Sequence, residues 1–330
     1  MSVSSGSGHQ GEEKVDVVGV GTSCVDLVFM VEKPPITGGC MIAENFLLTQ
    51  GGIVGNFLVG CSRLGLKARF IGKLGRDHFG SSVLEELKKE EVDVSAVVFD
   101  EKEPTEIVVV LLEKSGERSF VVNIGATNKL KFNEVNLSKA LSCRVLYSDG
   151  VPFEAVSKLF AEAKRRSIFT ALDLAAELKV YEKISAPRDE FLKLLEHVDV
   201  VFPSLNFLED LYPGYNLREA CMKLLNYGPK VVAATLGARG SIVADSYECS
   251  EIPSFAVQVV DTTGAGDAYR AAFIYAFLKG FELKDCGIIA SAAAALNCQR
   301  VGARAGMPTL DELKAFLVEK GFNRIAERLG

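Results

Sequence analysis

No C-x-x-C pair occurs among the eight cysteines, which stand scattered at Cys24, Cys40, Cys61, Cys143, Cys221, Cys249, Cys286 and Cys298, and only three histidines are present to complete a metal site. The cysteines therefore read as reduced core thiols. No block of lysine or arginine occurs, the net charge is −6 at pH 7, and the pI is near 5.4. Binding a phosphate backbone needs a basic surface, so nucleic acid is not the expected partner and a small molecule is. No apolar run reaches the roughly 18 residues of a membrane-spanning helix, and the stretch around Ala268 to Phe281 is interrupted by Arg270 and Lys279. The Ser/Gly-rich opening, Met1 to Gly11, lacks the basic and apolar regions of a signal peptide and reads as a flexible tail. A soluble, cytoplasmic protein is expected. Two phosphate-binding motifs are missing as well. There is no G-x-x-x-x-G-K-[ST] loop, and the first apolar run leads into Gly19-Val20-Gly21-Thr22-Ser23-Cys24 rather than G-x-G-x-x-G. P-loop and dinucleotide-binding Rossmann folds are thereby set aside.

What is present is a chain of 330 residues, 48% hydrophobic and 24% charged, able to bury a large core. Apolar runs over 15–21, 69–72, 145–148, 168–173, 198–202 and 231–235 read as buried strands, and helical patterns over 81–91, 153–166, 189–197, 217–226, 266–280 and 283–300 fall between them. Strands alternating with helices require crossover connections and predict a mainly parallel α/β sheet covered on both faces. One stretch breaks the rhythm: 105–112 and 118–124, joined by Lys114-Ser115-Gly116-Glu117, read as a β-hairpin. With 27–49 it is expected to form a small sheet projecting from the main domain, either a lid that excludes water or a surface hairpin that only packs. The expected organisation is a tail over 1–12 and one domain over 13–330, with lid segments at about 27–49 and 103–126.

The segment from Val260 to Ala272, VDTTGAGDAYRAA, runs from an apolar stretch through a glycine turn into a helix. Gly264 and Gly266 let the backbone approach a ligand, and the first N–H groups of the helix, with its dipole, suit an anionic phosphate. Asp267 falls in the first turn, where a carboxylate either caps the helix or acts as a base toward a hydroxyl beside the bound phosphate. The residues alone leave both readings open. The string D-T-T-G-A-G-D resembles the second signature of the ribokinase-like (PfkB) kinases. That resemblance implies an anion hole at Gly264, Ala265 and Gly266 and a catalytic base at Asp267.

Further landmarks of that family follow in its order from Val15 to Pro308. Asp26, in G-V-G-T-S-C-V-D, stands where the family has an acidic residue for substrate hydroxyls. Gly51-Gly52-Ile53-Val54-Gly55-Asn56 is similar to its G-G-x-x-x-N segment facing the sugar, and Gly72 to Gly80 matches a glycine-rich fold signature. Asn206-Phe207-Leu208-Glu209 resembles N-x-x-E, whose amide and carboxylate organise Mg2+ and phosphates, Glu209 through water. The two lie one helical turn apart and share a face, although the pattern alone equally suits a helix cap. The T-L-G-A-R-G segment is similar to the family's nucleotide loop, which implies Thr235, Gly237 and Gly240 near ATP, and Asn297 stands where members pack against adenine. The resemblance also implies a monovalent-cation loop for K+ at Asp261 and Thr263, with backbone from 300–306, and lids that pair across a homodimer.

Two positions depart from the pattern. The family's D-x-N-x-R segment reads Asp173-Leu174-Ala175-Ala176-Glu177 here, without the Asn and Arg that touch phosphate or magnesium. Arg270 follows the base, where sugar kinases have a small or apolar residue. It is expected to be exposed or salt-bridged, the alternative being a phosphate contact, and a basic residue here is shared with some nucleoside kinases. The resemblance implies a ribokinase-like three-layer sandwich and transfer of the ATP γ-phosphate to a small sugar or sugar acid of ribose, fructose or ketodeoxygluconate type. An adenosine-like nucleoside is the alternative acceptor, with Phe29, Phe46 and Phe120 as candidate base clamps or lid core. A catalytically silent regulatory protein is the further alternative.

Overall fold

The structure, a computed structural model, describes residues 13–114 and 117–330; the expected tail over 1–12 and positions 115 and 116 of the expected turn lie outside the described residues. The apolar runs are strands of one eight-stranded sheet, in the spatial order Cys249–Ile252, Ser241–Ala244, Val231–Thr235, Val200–Pro203, Phe169–Leu174, Cys143–Ser148, Val15–Val20 and Ala68–Ile71. The six strands from Val231–Thr235 to Ala68–Ile71 are parallel, and the two at the opposite edge are antiparallel. Side chains alternate across the sheet, so each strand supplies two separate cores. In Phe169–Leu174, Ala171 joins Tyr147, Phe202 and Phe273 on one face, while Leu172 and Leu174 join Leu159, Phe160 and Phe191 on the other. A helical layer covers each core, and three layers result.

The helix Ala265–Leu278 is buried without a break from Asp267 to Ala276. It packs against Leu283–Asn297 and Ile53–Arg63. The approach to Ile53–Arg63 is close because small residues meet there: a Cβ at Gly60 would lie 2.7 Å from that of Ala271. Ile53–Arg63 was not legible as a helix, since Gly55 and Gly60 lower its intrinsic propensity and tertiary packing overrides that. The antiparallel strands Ser241–Ala244 and Cys249–Ile252 also escaped the sequence reading, being only four residues each.

A second sheet has the order Asn45–Gly51, Cys24–Val31, Ile107–Glu113, Arg118–Asn123, with only its central pair parallel. Its first part runs from Cys24 to Gly51, wider than the expected 27–49, so Asp26 and Gly51 are themselves part of this sheet. Asp26 stands opposite Thr49 on one neighbour and Val108 on the other. All eight cysteines are free; Cys24, Cys61, Cys143, Cys221 and Cys286 are buried, whereas Cys40 is exposed and is no core thiol. Among the described residues, no helix is long and apolar enough to cross a membrane.

Candidate active site

Parallel strands end on one edge of the sheet, and polar side chains collect there: Thr22 beyond Val15–Val20, Asp149 beyond Cys143–Ser148, Asp173 near the end of Phe169–Leu174, Ser204 beyond Val200–Pro203, and Thr235 closing Val231–Thr235. Open α/β sheets bind ligands at this carboxyl edge.

Gly264 precedes the helix Ala265–Leu278 in the left-handed conformation, φ 77°, and a Cβ there would lie 2.3 Å from the carbonyl oxygen of Ala303. Only glycine fits. No side chain caps this helix; the Ala265 N–H makes a long hydrogen bond of 3.3 Å to the Thr262 carbonyl, and the first-turn N–H groups at Gly266 and Asp267 have no acceptor within the helix itself. An anion is the natural acceptor for such a row. Asp267 does not cap. Its Oδ2 accepts a hydrogen bond of 2.9 Å from the amide of Asn56. Asn56 Oδ1 in turn accepts from Arg304 Nε at 2.8 Å, and Arg304 Nη2 donates to the carbonyl of Gly51 at 2.9 Å. Burial pushes the Asp267 carboxyl up to about 7, opposed chiefly by the Arg270 cation.

Gly51 and Gly52 let this cluster reach the lid. A Cβ at Gly51 would lie 2.3 Å from Asp26 Oδ1, and one at Gly52 would lie 2.5 Å from the Cα of Ser23. Burial raises the Asp26 carboxyl to about 6, eased by the Cys24 thiol, 3.4 Å away, and by the charge of Arg304. Two more buried acids stand nearby. Asp149 accepts from the N–H and hydroxyl of Thr22 at 3.1 and 2.6 Å and is raised to about 7 by burial. Glu106 is raised to about 8 by burial, with the charges of Asp149 and Asp26 adding to the shift. The sequence reading missed Arg304, Asp149 and Glu106 as site residues. Arg304 sits in an unpatterned G-A-R-A-G loop, 248 positions from Asn56, and only the fold brings the two together.

The residues expected to face the nucleotide form a second group on the same edge. Ser204 caps the helix Leu205–Leu211 through the N–H of Phe207 at 3.2 Å and bridges to Thr235 on the neighbouring strand. Asn206 and Glu209 are exposed, while Phe207 and Leu208 are buried. Glu209 lines a cleft of about 670 Å³ with Leu236 and Arg239. Gly237 and Gly240 shape the loop between with φ of 59° and 90°, and a Cβ at Gly240 would lie 2.0 Å from the Ile252 carbonyl oxygen. No group of three or more His, Cys, Asp or Glu residues could hold a metal among the described residues. Asn297, which the resemblance sets beside adenine, is completely buried instead, and its amide donates to the Thr263 carbonyl at 2.7 Å, propping the glycine turn.

Asp261 and Thr263, where the resemblance implies K+, are already engaged. Arg118 of the lid donates to the hydroxyls of Thr262 and Thr263 and lies 3.4 Å from Asp261 Oδ1. Asp261 Oδ2 takes the Gly302 N–H at 2.8 Å. These side chains do not fit a monovalent cation while Arg118 holds them.

Arg270, the second departure from the family pattern, pairs with Asp173, the residue of that pattern which the altered segment keeps. Arg270 is neither exposed nor free for phosphate; it is buried, with Nε 2.7 Å from Asp173 Oδ2. Tyr147 donates its hydroxyl to the same oxygen at 2.8 Å.

With a glycine turn opening a helix, an adjacent buried carboxylate and a small separate sheet beside a mainly parallel one, the molecule has the architecture of a phosphotransferase. The pfkB carbohydrate kinase family profile matches residues 14–310, and the chain belongs to that family. It is similar to the ribokinase of Lactococcus lactis subsp. lactis, 29% identical over 325 residues that cover 94% of this chain and 99% of that protein. It is also similar to the nucleoside kinase of Methanocaldococcus jannaschii, 27% identical over 298 residues, 89% of this chain and 94% of that one. Among solved structures, Arabidopsis thaliana ribokinase complexed with ribose and ATP has a TM-score of 0.80 and 25% identity, covering 92% of this chain and 99% of the other. The ribokinase fold follows.

Proposed function

We propose that the protein transfers the γ-phosphate of ATP to a hydroxyl of a small sugar or sugar acid, with Asp267 as general base. The observation that supports this best is where Asp267 spends its hydrogen bond. It leaves its own helix uncapped and takes the amide of Asn56, which Arg304 ties to Gly51 beside Asp26. Base, hydroxyl-binding carboxylate and anion hole are thus one connected unit. In the proposed step the acceptor hydroxyl gives its proton to Asp267 as its oxygen bonds to the γ-phosphorus. The bond from that phosphorus to the β,γ-bridging oxygen breaks, and ADP leaves. Amides at Gly264, Ala265 and Gly266 receive the charge that develops on the phosphoryl oxygens. Magnesium bound with the nucleotide would supply further charge neutralisation, with Asn206 near it and Glu209 holding it through water. Lid closure excludes water as a competing acceptor.

The acceptor reading rests on Asp26 and Asn56, a carboxylate and an amide able to take several hydroxyls of one ring. The ribose in the Arabidopsis ribokinase complex supports it. A nucleoside is the second reading, favoured by the ring contact of Phe29 with Phe46, centroids 5.0 Å apart, and by Phe120, 58% exposed on the lid. The test is ADP release from Mg-ATP with ribose, fructose, ketodeoxygluconate, adenosine and cytidine, with Asp267→Asn as control. Turnover of one class that vanishes in the variant supports the reading. Undiminished turnover in the variant removes Asp267 from its role, and ATP binding without turnover of any acceptor favours the silent, regulatory alternative.

A further inference from the structure

We propose that Arg270, clamped by Asp173, is the positioning residue for the base, holding the carboxylate of Asp267 ionised and in place beneath the anion hole. This rests on the reading of Asp267 as base and adds what keeps it competent. Arg270 Nη1 lies 3.8 Å from Asp267 Oδ1, while its Nε lies 2.7 Å from Asp173 Oδ2. The guanidinium also fills the space under the glycine turn: a Cβ at Gly266 would lie 2.2 Å from Nη1. Gly266 is therefore required by the arginine beneath it as well as by any phosphate above it.

The groups facing Asp267 come from four other places in the fold. Helix Ile53–Arg63 supplies the neutral amide of Asn56, and the loop after Leu283–Asn297 supplies Arg304, which reaches Asp267 through that amide. The neighbouring strands supply Asp173 and Tyr147, whose hydroxyl donates to Asp173. Arg270, one turn along the same helix as Asp267, is the cation that lies within 4 Å of it among the described residues. Asp173 has no exposed surface and cannot meet a substrate, so its charge serves Arg270. The electrostatics agree: burial drives the Asp267 proton affinity up, Arg270 is the main counterweight, and Asp173 adds to the rise. Without the guanidinium, two carboxylates would share a dry site, and one would hold a proton.

The experiment is the pH profile of kcat/KM for the acceptor in Arg270→Met and in the Asp173→Asn/Arg270→Met double variant, with thermal unfolding of both. In Arg270→Met the acid limb is expected to move up by about one to two pH units, roughly a ten-fold or greater loss below the limb, with partial recovery at alkaline pH. The double variant replaces a buried ion pair by neutral groups of similar size, so its Tm returns toward that of the parent. Its acid limb stays displaced. A purely structural role moves Tm and lowers the rate evenly at all pH, leaving the limb in place, and that result in either variant overturns the proposal. Should Arg270→Met fail to fold, the double variant alone decides. Undiminished turnover by Asp267→Asn would instead remove the base reading itself, whatever Arg270 does.

Discussion

Arg118 and Asp261 stand 3.4 Å apart across the boundary between the second sheet and the loop that leads into the helix Ala265–Leu278, and the same guanidinium binds the hydroxyls of Thr262 and Thr263. A strand of the second sheet therefore holds the turn before the helix Ala265–Leu278 by charge-assisted hydrogen bonds. Arg118→Ala is expected to lower kcat by about ten-fold, the worth of one or two such bonds, and to increase ADP released without phosphorylated product. Comparing ADP with product in one assay reads both. Because Arg118 engages Asp261 and Thr263, K+ and Na+ are expected to support equal rates in the parent protein. Selective activation by K+ would show that the guanidinium yields the loop.

In the proposed site Asp26 serves the acceptor alone, whereas Asn56 serves both the acceptor and the base. Asp26→Asn is expected to raise the acceptor KM by roughly ten-fold or more, the cost of losing charge-assisted hydrogen bonds, with ATP KM little changed. Asn56→Ala removes the donor that aims Asp267 and is expected to lower kcat by about ten- to hundred-fold. Steady-state kinetics with each substrate varied in turn check both. Equal effects on the two KM values in Asp26→Asn would mean that the acceptor pocket lies elsewhere.

Two glycines offer a contrast. Gly264 has φ 77° and backbone atoms of Ala303 against it, whereas Gly237 has φ 59° with nothing within 4 Å of a built Cβ. Gly264→Ala is expected to destabilise the fold by about 1–3 kcal/mol or more and to abolish turnover, while Gly237→Ala carries only the conformational cost, about 1 kcal/mol. Denaturant unfolding measures the difference.

Carboxyls largely shielded from water, Asp26, Asp149, Asp173, Asp267 and Glu106, are all shifted upward and make stability depend on pH in an unusual direction. Burial raises Asp26 to about 6, Asp149 and Asp267 to about 7, and Glu106 to about 8, from ordinary values of 3.8 for Asp and 4.5 for Glu. Each binds its proton more tightly folded than unfolded, so its contribution falls as pH rises between the ordinary and the raised value. Asp100, pulled down to about 2 by the backbone N–H groups of Glu103 and Lys102, acts only below that window. The substrate-free protein is expected to melt at a higher temperature at about pH 5 than at about pH 8.5. Glu106→Gln should flatten that slope, and calorimetry across the range checks it.

The strands and the glycine turn were legible because burial on both faces leaves continuous apolar runs, and because a left-handed turn before a helix asks for glycine. Thr235 closes its strand as read, and Gly264 adopts the left-handed turn that its motif implies. What escaped was whatever depends on distant parts of the chain. Arg270 reads as an exposed or salt-bridged arginine, and it is salt-bridged, but its burial and its partner Asp173, on a strand almost a hundred positions earlier, come only from the fold. Asn297 sits at the expected place along the chain, yet its side chain is turned inward to Thr263. Helix Ile53–Arg63 hid behind its glycines, which are there to admit neighbours: Ser23 and Arg304 at Gly55, Ala271 at Gly60.

The close seating of Gly60 on Ala271 has an evolutionary corollary. The helix bearing Asn56 and the helix bearing Asp267 meet through small residues with no room to grow, and enlarging either would push the amide from the carboxylate it serves. Apart from Gly51, which is packed against Asp26, the second sheet would meet the proposed acceptor through side chains that can be exchanged one at a time. Changes of substrate among descendants of this scaffold should therefore accumulate in the lid, while the paired helices stay almost fixed in sequence.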